Sequence, residues 1–309
     1  MSTKHLLITG GTGFIGTALV NVAVSKHMQC TVLTRNIQNA RSILPPEVNL
    51  IESLREIDDN QPIEWVINLA GEPLVSHRWN KKSKMLFIES RVNMTQALID
   101  WIAFRETPPE ALINASAIGW YGDKGDEVLN EQSSFHAEFI HDLCEQWEAV
   151  ALQARQYDVR VCCLRTGLVL GHGGAMNNLL PTFKFGIGGS LGDGEQWWSW
   201  IHIVDLVRLY LFCAEKPIQG IVNGTSPNPV KQKDFAKTLG KVMHRPTVIK
   251  TPGVALKLVL GEFAEALLLH GQKVLPQVAQ ELGFEYFYPE LEGALQEVVS
   301  ISPEFKKVS

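Results

Sequence analysis

A doubly wound α/β fold, with a parallel central sheet and a smaller, mostly helical C-terminal substrate lobe, is predicted by three features of the sequence. A short apolar run, His5-Leu6-Leu7-Ile8-Thr9, feeds a glycine-rich turn, and the turn opens an amphipathic helix. Strand-sized apolar runs then alternate with helical patterns to about residue 170, as expected of parallel strands joined by helical crossovers. Glycines cluster at 171–194, and longer helical patterns follow.

The first turn carries Gly10, Gly13 and Gly16 as G-x-x-G-x-x-G, with Thr12, Phe14 and Ile15 among them. Gly10 permits a tight turn, Gly13 lets the backbone approach a pyrophosphate, and Gly16 lets the helix pack on the strand. The helix N-terminus presents free N–H groups and a positive dipole end to phosphate. The glycine pattern alone is weak evidence, but a strand before it and a helix after it are the required context. A strand–turn–helix with no ligand is the alternative.

The second strand, at about 30–36, ends in Thr34-Arg35. An NAD enzyme usually places an acidic residue there for the ribose 2′-hydroxyl. A hydroxyl and a guanidinium suit a 2′-phosphate, so NADP(H) is expected over NAD, with a solvated Arg35 as the alternative. A third strand follows at 48–51. A fourth, at 65–71, ends in the small residues Ala70 and Gly71, which leave room for a dinucleotide to pass. Glu72 and Arg78 lie in the loop beyond, before a helix at 81–104. A fifth strand at 111–116, a helix at 135–156 and a sixth strand at 159–170 complete the alternation. Shorter elements are expected at 176–185, from Asp205 to Ala214, at 220–224 and at 230–244, with a helical stretch at 252–269 and an aromatic-rich tail. The predicted division is a dinucleotide-binding domain at 1–170, to which 195–225 returns, and a lobe of 171–194 and 226–309 ending in a helical module.

Composition narrows the function. The chain has 309 residues, 45% hydrophobic and 20% charged, with a net charge of −5. No basic stripe is present, so nucleic acid is not an expected partner. No apolar run approaches the roughly 20 residues of a membrane span, and the N-terminal apolar run lacks the features of a signal peptide. A cytoplasmic protein without a membrane partner is expected. Cys30, Cys144, Cys162, Cys163 and Cys213 show neither metal-ligand spacing nor a disulfide framework, and no metal is expected. The weakly charged runs 255–260 and 264–269 must be covered. Packing on the lobe is expected, with a homodimer seam as the alternative.

These motifs, with Arg165-Thr166-Gly167, Trp200-Ile201-His202-Ile203-Val204-Asp205 and Asn223-Gly224, make the chain resemble the extended short-chain dehydrogenase/reductases. It is more closely similar to their atypical epimerase-family members that carry a small C-terminal domain of unknown function. The segments Asn68-Leu69-Ala70-Gly71-Glu72, Arg78-Trp79-Asn80, Ser116-Ala117-Ile118-Gly119-Trp120-Tyr121-Gly122, Trp147-Glu148-Ala149 and Gly271-Gln272-Lys273-Val274-Leu275-Pro276 carry that similarity. The resemblance implies a Rossmann domain binding NADP(H) and a substrate pocket formed by the C-terminal part. Its cofactor contacts would fall on Gly10, Thr12, Gly13, Phe14, Ile15, Gly16, Thr34, Arg35, Leu69, Ala70, Gly71, Glu72, Arg78 and Glu148. A carboxylate such as Glu148 near phosphates would need a hydroxyl or cationic partner.

One departure bears on chemistry. The superfamily uses a serine with Tyr-x-x-x-Lys, in which the tyrosine moves a proton and the lysine lowers its pKa. The helix after the fifth strand, at 135–148, has neither Tyr nor Lys. Alignment through Glu148 puts Ile140 at the tyrosine and Cys144 at the lysine; a one-residue shift gives Phe139 and Leu143. Ser116 is the candidate substrate hydrogen-bonder and Tyr121 the nearest candidate proton donor. His136 and His141 read as surface residues, and His202 as structural. Two functions follow as expectations: an NADP(H)-dependent oxidoreductase or epimerase-like enzyme acting on a small molecule, or a non-catalytic NADP(H)-binding sensor.

Overall fold

The structure, a computed structural model, describes residues 4–301. The central sheet has seven parallel strands, β1 (His5–Thr9), β2 (Gln29–Leu33), β3 (Asn49–Ile51), β4 (Trp65–Asn68), β5 (Ala111–Ala117), β6 (Arg160–Thr166) and β7 (Gly220–Gly224). Their spatial order is β7-β6-β5-β4-β1-β2-β3. The order reverses between β4 and β1, and this is where a doubly wound sheet opens a crevice at its C-terminal edge. Strand residues alternate between two apolar layers. Leu6, Ile8 and Ile67 share one apolar cluster with α1 (Phe14–Ser25), α2 (Ile37–Ile43) and α6 (Ile203–Glu215). Leu7, Val66 and Leu112 face α3 (Lys81–Ala103) and α4 (Phe139–Leu152).

A second apolar core brings Trp198 and Trp200, from the 195–225 stretch expected to return to the first domain, together with α5 (Met176–Lys184), Phe235 and Leu239 of α7 (Gln232–Met243) and the helix Leu291–Ile301. Ala279 and Phe284 leave the lobe and pack into the first layer. Asp205 helps to hold them. It does not cap α6, because His202 takes that position and accepts from the Val204 N–H. Asp205 instead accepts from the backbone N–H groups of Phe287 and Tyr288, both at 2.8 Å.

Three elements differ from the sequence expectation, each for a local reason. Helix α4 begins at Phe139, because His136 N–H donates to the Tyr121 carbonyl and holds 135–138 as a loop. The stretch 252–269 is broken at Gly261, whose φ of +65° ends α8 (Gly253–Leu260). The chain continues as Glu262–Ala264 and a π turn, Glu265–Leu269. The tail is ordered by a two-residue strand, Lys273–Val274, on Val128–Leu129, followed by the helices Gln277–Glu281 and Leu291–Ile301. Among the described residues no helix is long and apolar enough to cross a membrane.

Candidate functional site

The crevice between β1 and β4 is shaped by glycine. Gly10 has φ +67°, and a Cβ there would stand 2.7 Å from the Leu69 carbonyl carbon and oxygen. A Cβ on Gly16 would stand 2.2 Å from the Gly10 carbonyl oxygen, so strand and helix approach as only glycine allows. Gly13 caps α1 and offers no side chain to its first N–H groups, and the first turn of α1 holds no acidic residue. The positive end of this helix is therefore left for an anion. Gly13 is exposed, while Thr12 and Ile15 are half-buried. The Phe14 ring turns toward the lobe, where it lies under Gly171, Gly173 and Gly174.

Thr34 and Arg35 stand just beyond the end of β2. The Thr34 N–H donates to the Ile51 carbonyl, which fixes this corner. Arg35 is exposed, and its guanidinium pairs with no described residue. Leu69, Ala70, Gly71 and Glu72 continue β4 along the other side. Ala70 N–H donates to Asn68 Oδ1, and the Glu72 backbone is held by Ser90 and Arg91. The Glu72 carboxylate stands 3.4 Å from His77. Arg78 is exposed, and its guanidinium also pairs with no described residue.

Beneath the crevice lies a buried amide–hydroxyl network that the sequence reading did not find. Asn68 accepts from the Thr9 hydroxyl at 2.6 Å and donates to Thr95 at 2.8 Å and to Asn114 Oδ1 at 2.6 Å. Trp147 Nε1 donates to the same Thr95 hydroxyl at 2.9 Å. Four elements, β1, β4, α3 and α4, are locked with β5 in one register. The available signal was an asparagine inside each of two otherwise apolar strands, since buried amides need partners.

At the end of β5, Ser116 donates from Oγ to Glu148 Oε1 at 2.6 Å. Arg165, on β6, donates from Nε to Oε1 at 2.9 Å and from Nη2 to Oε2 at 2.8 Å. Ser116, Glu148 and Arg165 are all buried. The guanidinium carbon sits 3.5 Å from the centroid of Trp120, and the arginine's Nη1 is buried without a hydrogen-bond partner. Burial alone lowers the Arg165 pKa, but the bonds to Glu148 and its charge outweigh it and raise it. A carboxylate here needs a hydroxyl or a cationic partner, and Glu148 has one of each. Two of the three Arg165 nitrogens are committed to Glu148.

Tyr121 lies on the other side of Arg165. It is fully buried, and its hydroxyl donates to Asn223 Oδ1 at 2.9 Å. Burial raises its pKa, with the Arg165 charge pulling the other way. Asn223 is held by the Leu275 carbonyl and, through its N–H, by Glu131. On α4, Ile140 packs over the backbone of Gly119, and Cys144 is fully buried. Burial and the nearby Glu148 push the Cys144 thiol up to about 11, so it stays protonated and un-nucleophilic. His136 is exposed as expected. His141 is not a surface residue: it is buried, its Nδ1 lies 2.6 Å from the Trp120 carbonyl, and its ring stacks on Phe135 at 3.7 Å. All five cysteines are free and buried, and among the described residues no cluster of metal-ligating side chains exists.

A glycine-turned crevice at the reversal of a seven-stranded parallel sheet, with an uncapped helix N-terminus beneath it, defines a Rossmann-type dinucleotide-binding fold. The chain belongs to the NAD dependent epimerase/dehydratase family, whose model matches residues 6–225. A domain of unknown function, DUF1731, matches 251–298. The chain is 39% identical over 306 residues to the chloroplastic epimerase family protein SDR39U1 homolog of Arabidopsis thaliana, covering 96% of this chain and 87% of that one. It is 38% identical over 300 residues to an epimerase family protein of Staphylococcus aureus strain MRSA252, covering 96% and 99%. Among solved structures, the human epimerase family protein SDR39U1 (isoform 2) with NADPH superposes with a TM-score of 0.86 at 30% identity, covering 96% of this chain and 99% of that one. A UDP-glucose 4-epimerase from Thermotoga maritima shares the fold alone, with a TM-score of 0.77 at 19% identity, covering 96% and 97%.

Proposed function

We propose that this protein binds NADP(H) in the β1–β4 crevice and acts on a small molecule as an oxidoreductase or epimerase-like enzyme, without the usual tyrosine–lysine pair. The residues fit the cofactor. The cradle at Gly10, Gly13 and Gly16 has no room for side chains at its closest approaches, and the α1 N-terminus is uncapped. Thr12, Phe14 and Ile15 would offer backbone N–H groups to the pyrophosphate. Thr34 and Arg35 would hold the 2′-phosphate, and Arg78 stands as a further cation. Leu69, Ala70, Gly71 and Glu72 would line the passage toward β5. The human relative solved with NADPH supports this assignment. NADPH, when bound, supplies a hydride.

The enzyme reading rests on the cluster at the end of β5. Glu148 accepts the hydrogen bond of the Ser116 hydroxyl, and Arg165 holds Glu148. With its one donor committed to Glu148, the Ser116 oxygen keeps its lone pairs to accept from a substrate hydroxyl. Glu148 and Arg165 are positioning residues in this scheme, and Tyr121 holds the wall against Asn223. A second reading, the sensor, is favoured by Ile140 and Cys144, which fill the tyrosine and lysine positions with buried groups that transfer no proton.

The experiment is a panel of carbonyl compounds with NADPH, and of alcohols with NADP⁺, run on the wild type and on Ser116→Ala. Turnover on any compound, cut by about 10- to 100-fold in Ser116→Ala, is the expected result. NADPH binding equal in both proteins, with no turnover on any compound, would replace the enzyme by the sensor.

A further inference from the structure

Helix α8 (Gly253–Leu260) carries its apolar side outward. None of its residues is buried, although the sequence reading expected this run to be covered. Val254 and Leu258 are each 80% exposed, and Val259 is 70% exposed. With Ala255 they sit at i, i+1, i+4 and i+5, and so form a single stripe. The neighbouring chain adds to the same surface. Val248 is 84% exposed, just before a short strand, Ile249–Thr251, that leads into α8, and Ile187 is 57% exposed, just before its partner, Gly189–Leu191. Only the next turn is covered, by Phe263, Ala266 and Leu267 packing toward Trp79 and Cys144.

The chain that builds this surface is basic, and the carboxylates beside it, Glu262, Glu265 and Glu292, are taken up by Lys84, Lys257 and Lys241. Residues 235–261 include Lys237, Lys241, Arg245, Lys250 and Lys257 and no Asp or Glu, and 172–192 include Lys184 and no Asp or Glu. The whole chain has a net charge of −5. Lys241 pairs with Glu292 and Lys257 with Glu265, whereas Arg245 and Lys250 form no ion pair with a described residue.

We propose that α8 and the strand before it dock on an anionic phospholipid bilayer, with the stripe of Val254, Leu258 and Val259 in the headgroup layer and the cations over lipid phosphates. Exposed apolar side chains flanked by basic residues are what such a surface attracts. A helix of about 12 Å lies on a bilayer and cannot span its roughly 30 Å core, so this contact needs no spanning segment. A second copy of the chain is the poorer occupant, because a two-fold contact would set the same cations against each other.

Flotation of the full chain with vesicles tests the proposal. Binding is expected to vesicles of phosphatidylcholine mixed with phosphatidylglycerol and not to phosphatidylcholine alone, and it should weaken several-fold at about 0.5 M salt. Lys250→Gln should weaken it about fivefold. Leu258→Glu should abolish it, with unchanged thermal stability and NADPH affinity, since α8 lies outside the cofactor crevice. The proposal is overturned by no binding to the anionic vesicles, by equal binding to both kinds, or by Leu258→Glu binding as the wild type does. It is also overturned by a dimer in light scattering that Leu258→Glu dissociates while vesicles capture neither protein.

Discussion

Arg165→Ala is expected to lower the stability of the fold by about 3–5 kcal/mol, the cost of leaving a buried charge unpaired. Glu148 is 5% exposed, and Arg165 supplies two of its three hydrogen bonds. Removing the guanidinium also empties the space against Trp120. The double variant Glu148→Gln/Arg165→Met should recover much of the loss, because it removes both charges and restores volume. Urea unfolding of the three proteins measures this. A loss below about 1 kcal/mol for Arg165→Ala, the size of an exposed pair, would show that water reaches the cluster.

Gly16→Ala has the largest expected effect on cofactor binding. On helix propensity alone, alanine would stabilise α1 by about 1 kcal/mol. Its Cβ would meet the Gly10 oxygen at 2.2 Å and the Gly11 Cα at 2.6 Å, both backbone atoms. The helix N-terminus must then move away from β1, and a shift of about 1 Å in a positioning group is worth on the order of 100-fold. Gly13→Ala gives the contrast. Its Cβ would stand 3.3 Å from the Gly10 oxygen, so the fold should absorb it with a small shift, and the new methyl group would stand on the exposed turn at the N-terminus of α1. Thermal melts with and without NADPH separate the two. Gly16→Ala should melt lower in both conditions, and Gly13→Ala should lose only the gain that NADPH brings. Equal NADPH affinity in Gly16→Ala and the wild type would place the ligand elsewhere.

Legibility in the sequence followed the distance over which each feature is encoded. The glycine turn, the sheet and the small residues after β4 were legible because each is set within a few neighbouring residues. The Ser116–Glu148–Arg165 cluster was not. Its members are 32 and 17 residues from Glu148 in sequence and meet only when β5, α4 and β6 pack together. The sequence raised the need for a hydroxyl or a cation beside Glu148 without saying which residues meet it. His141 misled because a spacing of five from His136 gives no shared helical face and read as surface, while the Trp120 carbonyl beside it comes from the 3-10 turn Ile118–Tyr121 and the Phe135 ring from the loop before α4. Helix α8 misled in the opposite sense. Apolar composition implied a buried run, and the break at Gly261 turned the next segment inward while α8 stayed out.

An NADP(H) site read by Arg35 is tested most directly by parallel fluorescence titrations with NADPH and NADH. The wild type should bind NADPH at least tenfold more tightly than NADH. Arg35→Asp should weaken NADPH by roughly 2 kcal/mol, the scale of a charge-assisted contact, and leave NADH nearly unchanged. Equal affinities in the wild type, or a preference for NADH, would contradict it.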